Sequence, residues 1–176
     1  REYLEKILNY SFHVPEPAVE DIYSFAIKSL EELLPEAERA PYGDHFTTFG
    51  QVLKECRFNN PRKVKRIFNH YLFFVEKYAS ELSRYYMDNV VKLIVLAEYF
   101  PSVFAALQND DSRRELLKLG GLEFNATEFG SKYGLDISAT FQQLVKMRNL
   151  IIMNDNPTET KLRFSAHYQA VYALLA

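Results

Sequence analysis

A chain of 176 residues with 48% hydrophobic and 25% charged side chains carries enough apolar material for one substantial core or two small ones, which excludes a disordered polymer. Its net charge of −2 excludes a global attraction to nucleic acid or membrane. A single cysteine, Cys56, excludes an internal disulfide and a cysteine-rich zinc site and fits a reducing compartment, so a cytoplasmic location is expected.

The charge is unevenly spread. Residues 1–50 hold four basic and ten acidic side chains, residues 51–119 twelve and eight, and residues 120–176 five of each. Only the middle segment is suited to an anion. The chain opens on Arg1-Glu2-Tyr3 without an initiator methionine or an apolar signal region, and reads as a piece of a longer protein. Its longest apolar run, Val90 to Phe100, is interrupted by Lys92 and Glu98 and is too short to span a bilayer, so no membrane insertion is expected.

In chain order, Tyr3 to Asn9 reads as the end of a helix, followed by an extended link from Ser11 to Pro17. Val19, Ile22, Tyr23, Ala26, Leu30, Leu33 and Leu34 recur at helical spacing and predict a helix from about Glu16 to Leu34, with Glu20, Asp21, Glu31 and Glu32 outside. A loop over Pro35–Asp44 and a short helix over His45–Cys56 come next. Asn60-Pro61 is then a strong helix start: the asparagine can cap, and the proline fits the first helical position. From there to about Tyr78, Val64, Ile67, Phe68, Tyr71, Leu72, Val75 and Tyr78 form one apolar face. The first turns carry Arg62, Lys63, Lys65 and Arg66 just after Arg57, cations at the helix end where the dipole disfavours them. A phosphate is the anion that would account for that arrangement.

A helix over Ser83–Tyr99 is predicted with Met87, Val90, Val91, Ile94 and Ala97 inward. Pro101 starts another with Val103, Phe104 and Leu107 inward, and one near Asp111–Leu119 stops at Gly120-Gly121. That double glycine places a boundary between residues 1–119 and 120–176. In the second part, Asn125 caps a helix over Ala126–Tyr133 that Gly134 ends, and Asp136 starts one reaching Met147. Leu150-Ile151-Ile152-Met153 and Lys161-Leu162-Arg163-Phe164 flank an Asn154–Thr158 turn and read as a β-hairpin, before a last helix over His167–Leu175. The expected fold class is mainly α: a helical, lid-like bundle followed by a small winged helix.

Tyr3-Leu4-Glu5-Lys6-Ile7, Phe12, Pro15 and Asn60-Pro61-Arg62-Lys63-Val64-Lys65-Arg66 resemble the KAP family of P-loop NTPases over roughly residues 1–108. The Asn-Pro-Arg helix is similar to the sensor-2 element of AAA+ and STAND ATPase lids. The resemblance implies that Arg62 reaches the γ-phosphate when the lid closes, with Arg66 and Lys65 as secondary phosphate contacts and Lys6 a lesser candidate. It further implies ATP and Mg in the parent protein, the parent's nucleotide-binding core as partner, and a homo-oligomer as a further option.

No Gly-x-x-x-x-Gly-Lys-Ser/Thr loop is present, and no strand ends in an acidic pair, so this chain alone is not expected to hydrolyse ATP or to hold a cofactor. The alternative reading is a nucleic-acid-binding or protein-adaptor module. Thr140, Gln142, Gln143, Lys146 and Arg148 on the candidate recognition helix are a thin basic surface, so DNA is not the expected partner. His13, His45, His70 and His167 stand far apart and contain no metal-ligand spacing.

Overall fold

The computed structural model describes residues 18–33, 49–54, 58, 60–117, 125–134, 148, 150–151 and 160–176. These residues are mainly helical, and no strand occurs among them. The helices are α1 (Val19–Leu33), α2 (Pro61–Lys77), α3 (Met87–Tyr99), α4 (Pro101–Ala106), α5 (Asp110–Leu117), α6 (Ala126–Tyr133) and α7 (Thr160–Leu175), with a 3-10 helix at Ala79–Arg84. Residues 49–54 are helical as well.

Helix α2 begins as its sequence dictates. The Asn60 side chain accepts from the backbone N–H groups of Arg62 and Lys63, at 3.1 and 3.3 Å, and Pro61 occupies the first position. The apolar face buries Val64, Ile67, Phe68, Tyr71, Phe74 and Val75. Because the cap satisfies two otherwise orphaned donors, Asn60→Ala should lower stability by about 1 kcal/mol in thermal melts, against a few tenths for Asn60→Gly. Equal losses for the two variants would show that the cap contributes little.

Helix α3 is the centre of the packing. Every residue from Asn89 to Leu96 is buried, because the helix is covered on several sides. It packs against α2, α4 and α7, while α2 also packs against α1 and α7. The Lys92 amine, nearly buried, is held by Asp88 one turn earlier at 2.7 Å. The last helix contributes Phe164, Tyr168, Ala170 and Val171 to the same core as α2 and α3. Tyr78 donates to the Ala170 carbonyl, and the Lys77 amine to that of Ala173, both at 3.4 Å.

Helix α6 follows its sequence closely. Asn125 accepts from the N–H groups of Thr127 and Glu128, and Gly134 closes the helix in the left-handed conformation at φ 65°. Helix α3 starts later than its sequence suggests: Ser83 and Arg84 finish the 3-10 turn, and Tyr85 and Tyr86 are extended. The reason is tertiary, since the Tyr86 N–H donates to His167 Nε2 at 3.0 Å instead of joining a helix.

The expected winged-helix hairpin is corrected on its second arm. Lys161–Phe164 lies inside α7, and Leu150 and Ile151 on the first arm are helical. Phe164, His167, Tyr168 and Val171 are buried at i, i+3, i+4 and i+7, a helical period that outweighs the two-residue alternation of Leu162 and Phe164. The turn 154–158, the candidate recognition-helix residues 140–146, Lys6, Cys56 and Arg57 lie outside the described residues. No described helix is long and apolar enough to cross a membrane.

Candidate functional site: the basic first turns of α2

Arg62, Lys65 and Arg66 fall at i, i+3 and i+4 on α2 and are all exposed. Their surroundings divide them. Arg66 Nη1 lies 2.9 Å from Glu98 Oε1 near the end of α3; the glutamate side chain is only 8% exposed and the arginine 62%. The pair therefore neutralises a nearly buried carboxylate, while most of the guanidinium stays in water. Lys63 is also engaged: its Nζ sits 4.4 Å from the centroid of the Tyr99 ring, a cation–π contact. Tyr99 in turn stacks on buried Phe58, with centroids 3.7 Å apart.

Among the described residues, no carboxylate is within ion-pair distance of Arg62 or Lys65. These two, unlike Arg66 and Lys63, have no carboxylate or ring contact among the described residues. The amide donors just behind them are not available to a ligand, since Asn60 already accepts from Arg62 and Lys63 and Pro61 has none. An anion at this helix start would be met by side chains, not by a backbone cradle.

His70 lies one turn beyond Arg66. Burial lowers its pKa; the nearby Glu98 opposes that shift, and the Arg66 cation adds to it. Its Nδ1 is buried without a hydrogen-bond partner among the described residues. No group of three His, Cys, Asp or Glu side chains suited to a metal occurs among them either. A cavity lined by Leu107, Gln108, Phe164, Ser165, Tyr168 and Gln169 includes none of the basic residues.

The sequence predicts the basic cluster but not its anchors. Glu98 and Tyr99 come from a segment more than thirty residues away, on a helix whose pattern is otherwise apolar. The available signal was Glu98 itself, a charge interrupting the run from Val90 to Phe100. No protein-family model, no curated protein and no solved structure matches the chain.

Proposed function

We propose that the chain is the regulatory lid portion of a KAP-like P-loop ATPase, in which Arg62 meets the γ-phosphate of ATP held with Mg by a core outside these residues. Lys65 adds a second cation one turn on. Arg66, assigned above to a secondary phosphate contact, acts here mainly as the joint to α3. The observation that carries the reading is the division of labour in the cluster: Lys63 and Arg66 are engaged with Tyr99 and Glu98, while Arg62 and Lys65 are exposed and meet no carboxylate among the described residues.

A guanidinium in that position stabilises charge that develops during phosphoryl transfer. Because α2 is joined to α3 by an ion pair and a ring contact, a pull on Arg62 would move both helices together. Helix α7, packed on both, would pass that movement to a neighbouring domain or subunit. The division at residues 119 and 120, a cytoplasmic location and a tail that contacts protein in preference to DNA belong to the same reading. So does the absence of hydrolysis by this chain alone.

The test is Arg62→Ala in the parent protein. ATP turnover should fall on the order of 100-fold, with folding unchanged by circular dichroism. Unchanged turnover together with an unchanged nucleotide-dependent conformational change would overturn the proposal. Tight, salt-sensitive gel shifts with this chain would instead favour the nucleic-acid module.

A further inference from the structure

Two large apolar side chains are left in water on neighbouring helices: Phe25 on α1, 42% exposed, and Phe73 on α2, 59% exposed. Single exposed phenylalanines are ordinary. What distinguishes these two is the sign and spacing of the charges around them. On α1, exposed Asp21 lies four residues before Phe25 and exposed Glu32 seven residues after it. On α2, exposed Lys77 lies four residues after Phe73 and exposed Arg66 seven residues before it.

The two patterns are mirror images along the chain direction and opposite in charge. Laid antiparallel with Phe25 beside Phe73, the helices set Asp21 opposite Lys77 and Glu32 opposite Arg66. The latter pair falls about 10.5 Å along the axis from the rings. Each stripe holds one charge of the other sign: Lys28 on α1, which faces the His70–Asn69 level, and Glu76 on α2, three residues after Phe73, which faces the level of buried Ile22.

Within one chain Arg66 pairs with Glu98 and Lys77 donates to the Ala173 carbonyl, but both side chains stay exposed and neither meets a carboxylate of α1 among the described residues. Helix α1 packs on α2 within one chain, with Ile22 buried in the shared core, yet neither Phe25 nor Phe73 has a ring partner among the described residues. The charge complementarity and the common spacing instead fit the same helices in another copy.

We propose that the outer faces of α1 and α2 are a self-association surface for a second copy of this chain. Helix α1 of one copy lies antiparallel on α2 of the other around the Phe25–Phe73 contact. A two-fold axis forms the contact twice and closes the assembly as a dimer. Aromatic anchors at the centre carry the affinity, and the flanking ion pairs set the register.

Sedimentation velocity of the chain without nucleotide, over a range of concentrations and salt, tests this apart from any role of Arg62. A concentration-dependent dimer is expected. Phe25→Ser and Phe73→Ser, both at exposed positions, should each weaken it about tenfold or more while circular dichroism stays unchanged. Asp21→Lys and Lys77→Glu should each weaken it, and the two substitutions combined should recover it. A monomer at every concentration would overturn the proposal. So would a dimer of equal strength in all four single variants, or a double variant no tighter than either parent.

Discussion

Replacing Phe68 with alanine should destabilise the chain by about 3–5 kcal/mol, a large part of the roughly 5–15 kcal/mol that holds an ordinary domain together. Phe68 is 1% exposed on the apolar face of α2. Its ring stacks on that of Phe49, with centroids 4.3 Å apart, and Phe49 also leans on Tyr71 at 5.8 Å. Truncation therefore removes a full aromatic burial and leaves a hole between α2 and the helical turn at 49–54 that both rings fill. Urea unfolding should show a lower midpoint with an unchanged slope, as for a loss of packing in the native state. Phe73→Ala, five residues further on the exposed face, should stay within about 0.5 kcal/mol. Similar losses for both would mean that the packing of α2 has been misassigned.

Acid should weaken the fold through His167, which is fully buried between α7 and the start of α3. Burial, aided by the Arg163 cation one turn away on α7, pushes its imidazole down from 6.5 to about 4. Arg163 stays close through Tyr86, whose hydroxyl accepts its hydrogen bond and whose ring it covers. The neutral ring accepts the Tyr86 N–H at Nε2, so its proton sits on Nδ1. Protonation would place a second donor against that N–H and a second cation beside Arg163.

The sign follows from where protons bind. Between pH 6.5 and about 4 the unfolded chain holds a proton that the folded chain refuses, so stability falls as pH falls through that window. A gap of that size corresponds to about 3 kcal/mol, present in full above pH 6.5 and lost by about pH 4. His70, also lowered by burial, acts in the same direction. His167→Gln keeps an acceptor for Tyr86 without titrating. Unfolding midpoints followed from pH 7 to 4 should therefore fall less steeply in that variant, and parallel curves would show that His167 does not drive the effect.

The parts of the fold that the sequence made legible are those set by local chemistry. Asn60-Pro61 and Asn125 with Gly134 mark helix ends through groups within four residues of each other, and each boundary stands where the pattern puts it. The start of α3 was not legible, because a histidine from α7 claims the Tyr86 amide. The arm Lys161–Phe164 reads as a strand because two apolar residues alternating with two charged ones over so short a stretch fit either period until the helical continuation through His167 and Val171 is weighed. At the site, the cluster Arg62, Lys65 and Arg66 could be read from charge alone. That Arg66 differs from Arg62 could not, since Glu98 becomes its neighbour only when α2 and α3 pack.

The docking of α7 bears on how the chain is made. Its bonds to Tyr86, Tyr78 and Lys77 join residues 81, 92 and 96 positions apart, and α2 and α3 cannot complete their core without it. During synthesis those two helices must wait with apolar faces uncovered until the segment that becomes α7 has left the ribosome. Contacts of such long sequence separation form late and slow folding, and uncovered apolar faces favour aggregation in the interval. Chains interrupted before Phe164 should therefore accumulate as insoluble or chaperone-held species.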